Sequence, residues 1–314
     1  MTPTYTLLSG ICRPMLEGRL PAWVEPHWFD STEELGELAS QAEIAWLDGF
    51  WPFSFEETLR QAGRLKWLNT LAAGVDPFPL DLMREQGVIL TNGAGLNAPT
   101  IAEYAVMGML VIAKGYREVM RAQERHEWLD DAPGKGELFG SKAMILGAGG
   151  IGGRVGNLLR GLGVHVTEVR RRPAPGALGP DEWRGKLGEF DWVIVLVPST
   201  PDTEKLIGAA ELAAMRPDAA ILNFARGAVI DQDALIAALN EKRIGAAFLD
   251  VTDPEPLPPD NPLWALDNVH ISMHLSGRSQ TRLFGRAAER FLANLARWER
   301  GEPLDYQVDL SLGY

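Results

Sequence analysis

Short apolar runs alternate with segments of helical periodicity through the first hundred residues. The runs are typical of strands and lie at 5–8, 43–47, 65–69 and 88–90. The segments with helical spacing lie between them, at 31–40, 54–62 and 79–86. Because strands that alternate with helices form parallel sheets, this part of the chain is predicted to be an α/β domain.

A long helix is predicted to follow. Thr100-x-x-Glu103 has the form of a capping box, Pro99 stands just before it, and the helical pattern continues to about Arg125. A helix of this length suggests an element that joins two domains or two subunits.

A second series of apolar runs begins at residue 143. Strands are predicted at 143–146, 164–169, 192–197, 219–223, 246–249 and 269–272, the first five of the buried parallel type. Apolar residues at helical spacing predict a last helix over 283–298, which Gly301 and Pro303 end. The order of these elements is that of a doubly wound dinucleotide-binding domain.

A glycine-rich turn follows the first strand of this second series. In Gly147-Ala148-Gly149-Gly150-Ile151-Gly152 the first glycine allows a tight turn, the second lets the backbone approach a pyrophosphate, and the third lets the helix pack on the strand. The start of a helix attracts anions. We therefore predict a dinucleotide-binding site, with a purely structural glycine turn as the alternative. The predicted contacts are Gly147, Gly149, Gly150, Ile151 and Gly152.

The next strand ends in three arginines. In dinucleotide-binding domains a carboxylate at this strand end usually holds the ribose 2′-hydroxyl. Here Glu168 falls slightly early, inside the alternating strand pattern, and Arg170, Arg171 and Arg172 follow it. Because arginine can pair bidentately with a 2′-phosphate, the pattern favours NADP, with NAD possible. A solvated basic turn is the alternative interpretation.

Composition and charge narrow the class of protein. The 314 residues are 46% hydrophobic and 23% charged, which suits two globular domains. A formal net charge of −12 argues against a nucleic acid or an anionic membrane as partner. The apolar stretch 105–113 is too short to span a bilayer, and the chain does not start like a signal peptide. Since Cys12 is the one cysteine, a cytoplasmic location is expected.

Three predicted strands of the second series end in loops with reactive side chains. Arg226 follows the fourth strand, Glu255 the fifth and His274 the sixth, so all three are predicted to meet at one edge of the sheet. Reduction of a 2-keto acid needs a cation for the carboxylate and a proton donor near neutral pH, for which histidine is suited. A carboxylate beside the imidazole orients it and favours its charged form. Each residue alone could also be structural, as a helix cap, a solvated acid or a buried histidine.

Together these motifs resemble those of the D-isomer-specific 2-hydroxyacid dehydrogenase family. The resemblance covers most of the chain and is strongest from 140 to 277. It rests on the glycine turn, on Asn223-Phe224-Ala225-Arg226-Gly227, on Leu249-Asp250-Val251 with Glu255-Pro256-Leu257, and on His274 with Gly277.

The resemblance implies two Rossmann- or flavodoxin-like βα domains with parallel sheets that flank a cleft. Residues 1–97 plus 278–314 would form the substrate domain, and residues 98–277 would bind the dinucleotide. The C-terminal helix would return to pack on the first domain. The family also implies a homodimer that is built through the cofactor domains.

Site residues are carried over from the family motif by motif. The catalytic arginine, glutamate and histidine map onto Arg226, Glu255 and His274, and the acid at the nicotinamide amide onto Asp250. Substrate contacts, including backbone N–H groups that would bind the carboxylate, map onto Ala73, Gly74, Val75, Asn97, Arg226 and His274. The remaining cofactor contacts map onto Val197, Pro198, Thr203, Phe224, Ala225 and His274.

The expected function is reversible reduction of a 2-keto acid to a D-2-hydroxy acid with NADPH, with no metal. An NADH-linked glyoxylate or hydroxypyruvate reductase, a dinucleotide-sensing binding protein on the same fold, and a methyltransferase are the alternatives. Two features lack a firm interpretation. Ser276 replaces a small apolar residue after the histidine, and the aromatic segment 47–53 is either a wall of the substrate site or core packing.

Overall fold

The structure, a computed structural model, describes residues 3–48, 54–75, 77–172, 174–278 and 282–312. The chain divides into two compact units. Unit 1 comprises Met1–Asn97 and Ser279–Tyr314, and unit 2 comprises Ala98–Arg278. Each unit is built around one parallel sheet, so the predicted α/β class is confirmed.

The sheet of unit 1 has five strands. They are β1 Thr4–Ser9, β2 Val24–Phe29, β3 Ile44–Trp46, β4 Trp67–Asn69 and β5 Ile89–Thr91. All pair in parallel in the order β2-β1-β3-β4-β5. This is the flavodoxin-like order, in which binding loops lie at the carboxyl ends of the strands near the switch point between β1 and β3.

Helices pack on both faces of this sheet. They are α1 Arg13–Leu16, α2 Thr32–Leu38, α3 Phe55–Gln61, α4 Leu80–Gln86 and the C-terminal α10 Leu283–Glu299. Successive strand residues point to opposite faces, so Leu7 belongs to one apolar core and Leu8 to the other. Phe291 of α10 lies 5.1 Å from the rings of both Trp46 and Trp67. The C-terminal helix therefore packs on the first unit, as the resemblance implies.

The sheet of unit 2 has six parallel strands in the order β11-β10-β9-β8-β6-β7. The strands are β6 Lys142–Leu146, β7 His165–Val169, β8 Trp192–Val195, β9 Ala220–Asn223, β10 Ala246–Leu249 and β11 Val269–Ile271. The helices are α5 Ala98–Ala113, α6 Tyr116–Glu124, α7 Gly150–Gly161, α8 Ala209–Ala214 and α9 Gln232–Asn240. The strand order reverses between β6 and β8, which places the glycine turn after β6 at the switch point of a doubly wound sheet.

Three predictions about the elements were wrong. The sequence did not indicate β2, because its residues Val24–Phe29 include Pro26 and two exposed positions. Proline is tolerated there since β2 is an edge strand. The single helix from 100 to 125 is two helices, α5 and α6, which Gly115 separates with a left-handed φ of 59°. The helix also starts at Ala98, so Thr100 lies inside it and is not its cap.

No helix in the described part of the chain combines the length and apolar character needed to cross a membrane.

Candidate active site

The glycine turn after β6 has the geometry of an anion cradle. Gly147 has a left-handed φ of 95°, and a Cβ there would lie 2.7 Å from the backbone of Leu196. A Cβ on Gly152 would lie 2.3 Å from the carbonyl oxygen of Gly147, so this glycine allows α7 to start against the turn. The first N–H groups of a helix have no partner within it. Those of Gly150 and Ile151 therefore remain available to a pyrophosphate.

The end of β7 carries an acid between two arginines. Glu168 lies within β7, and its carboxylate accepts Nη2 of Arg160 at 2.9 Å and Nη2 of Arg170 at 2.7 Å. Partial burial opposes ionisation, but the hydrogen bonds from both arginines lower the pKa of Glu168 below its ordinary value. Arg170 directly follows the strand, as predicted, but its guanidinium already pairs with this carboxylate.

The loop after β9 positions Arg226 by a tight turn. The buried Asn223 accepts the N–H of Ala225 at 3.0 Å and donates to the carbonyl of Arg226 at 3.0 Å. The Nη1 of Arg226 donates to the carbonyl of Ala225 at 2.8 Å. A Cβ on Gly227 would lie 2.1 Å from Thr252, so glycine is needed for this loop to lie against the loop after β10.

Glu255 and His274 form a direct pair. His274 Nδ1 lies 2.7 Å from Glu255 Oε2, and the other carboxylate oxygen accepts the N–H of Thr252 at 3.1 Å. Both oxygens of Glu255 are therefore engaged within unit 2. With Nδ1 on the carboxylate, Nε2 is the imidazole nitrogen that remains for a substrate. About half of the His274 side chain is exposed, at 45%.

Asp250 holds the loop that carries His274. Its backbone carbonyl accepts the N–H of His274 at 2.5 Å, and its carboxylate accepts the N–H groups of Leu275 and Ser276 at 3.1 and 3.2 Å. The hydroxyl of Ser272 donates to it at 2.6 Å, and the hydroxyl of Ser276 donates to its other oxygen. Ser276, which had no interpretation in the sequence, thus fixes the histidine loop.

The backbone of the histidine loop is strained. Met273 and His274 have left-handed φ values of 52° and 56°, which residues other than glycine rarely adopt. The bonds to Asp250 hold this conformation. Because the carboxylate of Asp250 is engaged with the loop, the residue positions His274 in addition to the cofactor role that the resemblance implies.

The other predicted cofactor residues lie on two neighbouring loops of unit 2. After β8, Val197 is half-buried and Pro198 exposed, while the Thr203 hydroxyl donates to the carbonyl of Pro198 at 2.7 Å and so shapes the loop. After β9, Phe224 and Ala225 are buried. The Phe224 ring stacks on Phe248, and its backbone N–H donates to the carbonyl of Val195 at 3.1 Å.

The predicted substrate residues Ala73, Gly74, Val75 and Asn97 belong to unit 1. Among the described residues, the backbone N–H groups of Ala73, Gly74 and Val75 donate no hydrogen bond within the chain. The side-chain oxygen of Asn97 is buried without a partner. The three unpartnered N–H groups suit a bound carboxylate, whereas the Asn97 oxygen is an acceptor and requires a donor.

One prediction concerns positions that the structure does not fully describe. Residues 49–53 of the aromatic segment lie outside the described residues. Within the described ranges, histidine, cysteine and acidic side chains form no group of three or more that could hold a metal ion.

Comparison with known proteins identifies the family. Residues 106–276 match the model of the D-isomer specific 2-hydroxyacid dehydrogenase, NAD binding domain. The chain is 32% identical over 256 residues to a glyoxylate reductase of Korarchaeum cryptofilum, which covers 78% of this chain and 76% of the relative.

Solved structures show the same fold over the whole chain. A D-isomer specific 2-hydroxyacid dehydrogenase family protein from Aeromonas salmonicida is 28% identical, with a TM-score of 0.87 and coverage of 99% of this chain and 100% of that one. A dehydrogenase from Xanthobacter autotrophicus in complex with NADPH and MES is 26% identical, with a TM-score of 0.79 and full coverage of both chains. The chain therefore belongs to the D-isomer-specific 2-hydroxyacid dehydrogenase family and is an NAD(P)-dependent oxidoreductase.

Proposed function

We propose that the protein reduces a 2-keto acid to a D-2-hydroxy acid with NADPH, and that the reaction is reversible. The observation that carries the proposal is the 2.7 Å pair of His274 and Glu255, on loops that follow neighbouring strands of one parallel sheet. Arg226 lies on the loop after the next strand of that sheet. A proton donor, its carboxylate partner and a permanent cation are the groups that this reaction requires.

Each of these residues has a distinct proposed role. His274 holds a proton on Nε2 toward the keto oxygen, where negative charge develops as the carbon is reduced. Glu255 fixes the imidazole so that Nε2 faces the substrate. Arg226 binds the substrate carboxylate and polarises the carbonyl with its planar guanidinium. In unit 1, the backbone N–H groups of Ala73, Gly74 and Val75 are the proposed partners of the carboxylate, and Asn97 is a further proposed substrate contact.

The dinucleotide supplies the hydride when it is bound. The cradle fits it, since a Cβ at Gly147 or Gly152 would occupy space that the turn needs. We assign the pyrophosphate to Gly149, Gly150 and Ile151, and the adenosine side to Val197, Pro198 and Thr203. The backbone of Phe224 and Ala225, with Asp250 and His274, is assigned to the nicotinamide side.

A preference for NADPH over NADH is the finer part of the proposal. It is supported by the position of Arg170, Arg171 and Arg172 after β7, and by the NADPH that a homologous dehydrogenase binds. One contact favours the NADH-linked alternative. Glu168 is ionised next to Arg170, so its charge would oppose a 2′-phosphate. The Nη1 of Arg170 is not part of this pair and could still bind the phosphate.

The single buried cysteine, Cys12, and the family support a location in the cytoplasm.

The reaction is tested with NADPH and a panel of 2-keto acids. Turnover is measured as the loss of the reduced nicotinamide absorbance, and the product is identified by chiral chromatography. We expect turnover with a 2-keto acid and the D-hydroxy acid as product. His274→Ala should lower kcat about 10²- to 10⁴-fold because the proton donor is lost, with little change in cofactor affinity.

His165→Ala is the control, since His165 is exposed at the opposite end of β7 from the cofactor edge. It should retain kcat. Near-normal turnover in His274→Ala, or an L-hydroxy acid as product, would contradict the proposal.

The cofactor preference is tested by Arg170→Ala. A charge-assisted hydrogen bond to the 2′-phosphate is worth about 1.5–3 kcal/mol, so kcat/KM for NADPH should fall roughly ten- to a hundredfold. The value for NADH should change little. Arg160→Ala removes the other arginine on Glu168 and serves as the matched control. A wild-type preference for NADH, or equal effects of the two variants, would overturn the assignment.

We also propose a homodimer formed through unit 2. The support is an exposed apolar groove of about 770 Å³, lined mainly by Val106, Met107, Leu110, Val111, Leu158 and Leu162. Glu103 and Lys114 lie at opposite ends of the side of the groove that α5 forms. An antiparallel contact of α5 with a second copy would bring these opposite charges together and cover the apolar side chains.

The dimer predicts a mass of two chains in sedimentation equilibrium at micromolar concentration. Leu110→Asp should shift the protein to a monomer, because it places a charge in the apolar contact. Leu312→Asp, at a similarly exposed leucine in unit 1, should leave the dimer intact. A monomeric wild-type protein would refute the proposal.

A further inference from the structure

The proposed substrate loop of unit 1 is the loop that carries Ala73, Gly74 and Val75. Its shape depends on residues at the ends of three strands. The loop follows β4, and Asp48 and Asn92 lie just after the neighbouring strands β3 and β5. Because the strands are parallel, these residues meet at one edge of the sheet. Their hydrogen bonds determine which backbone groups of the loop have no partner in the described part of the chain.

Asp48 binds the first part of this loop through both carboxylate oxygens. Oδ2 accepts the N–H of Leu71 and the indole N–H of Trp46, each at 2.8 Å. Oδ1 accepts the hydroxyl of Thr70 at 2.8 Å, and that hydroxyl accepts the N–H of Ala72 at 3.1 Å. Asp48 therefore engages two successive N–H groups of the loop, one directly and one through Thr70.

The surroundings of Asp48 fix its orientation. Trp46 is fully buried, and its ring packs against Phe291 of α10. Burial raises the pKa of Asp48 to about 6, while the three donors act to lower it. Burying a carboxyl group costs free energy even when three donors bind it. A specific role of Asp48 therefore explains its presence better than packing alone does.

The second part of the loop is held by its carbonyl groups. The amide of Asn92 donates to the carbonyl of Ala73 at 2.9 Å, and the N–H of Gly93 donates to that of Ala72 at 2.7 Å. A Cβ on Gly93 would lie 1.8 Å from the carbonyl oxygen of Leu71, so only glycine permits this approach. What remains is a run of three N–H groups without a partner in the described chain, those of Ala73, Gly74 and Val75.

We propose that Asp48 is a positioning residue for substrate binding, which acts through Thr70 and Leu71 to aim the N–H groups of residues 73–75 at the carboxylate of the 2-keto acid. The inference rests on the proposed function, since it takes this loop as the carboxylate site. Successive N–H groups that point to one side form an anion-binding nest, and its affinity depends on how well the loop is ordered beforehand.

The test compares Asp48→Ala and Asp48→Asn. Asp48→Ala should raise KM for the keto acid about five- to fiftyfold, with the KM of the cofactor unchanged, because the nest is no longer held. Asp48→Asn should return KM to within about threefold of wild type. Its amide oxygen can accept the two N–H groups, and its NH₂ can donate to Thr70.

Two further variants separate positioning from general stability. Asn294→Ala removes a buried side chain of unit 1 that is bonded to Asp305, so it should lower the melting temperature without raising KM. Thr70→Val removes the hydroxyl between Asp48 and Ala72, so it should also raise KM for the keto acid. It replaces Asp48→Ala in the test if that variant does not fold.

Calorimetric titration of oxamate, a carboxylate that is not turned over, makes the result independent of turnover. Weaker oxamate binding in Asp48→Ala than in Asn294→Ala supports the inference. Equal binding in these two variants, or an Asp48→Asn variant as impaired as Asp48→Ala, overturns it. A wild-type protein that binds oxamate but reduces no 2-keto acid would instead count against the proposed function.

Discussion

The parallel pairing of β9, β10 and β11 is the constraint on which the candidate active site depends. Residues of β10 pair in register with both neighbours, so the three strands end at the same edge. The loops that follow them are therefore close in space although they are far apart in sequence. Arg226, Glu255 and His274 each stand on one of these loops, so the roles proposed for them depend on this register.

Each unit uses an aspartate to order a loop at this kind of edge. In unit 2, Asp250 accepts hydrogen bonds from the loop that carries His274 and holds two left-handed residues in place. In unit 1, Asp48 accepts hydrogen bonds from the loop that starts at Thr70. A carboxylate is suited to this task because its two oxygens accept several N–H and O–H groups at once. Such ordering before binding lowers the entropic cost of substrate positioning.

Regular elements and single-loop motifs could be predicted from the sequence, because strand patterns, glycine turns and strand-end residues are local. The strand β2 escaped prediction because Pro26 interrupts its pattern, and the division of α5 from α6 escaped because one left-handed glycine ends a periodic segment. The roles of Ser276 and Asp48 could not be predicted either. Their partners lie on other strand ends, 26 residues away for Ser276 and 22 for the contact of Asp48 with Thr70, and nothing local marks them. Glu168 lay inside the predicted strand, but its bond to Arg170 appears only when the β7 end is folded.

The central claim is that His274 and Glu255 act as one unit in proton transfer. A double-mutant cycle on kcat for 2-keto acid reduction tests this most directly, with His274→Ala, Glu255→Gln and the double variant. Because Glu255 is proposed to act only through the imidazole at 2.7 Å, Glu255→Gln should lower kcat markedly in the wild-type background. It should cost little once His274 is absent. If the two losses instead multiply in the double variant, the residues act independently and the account is contradicted.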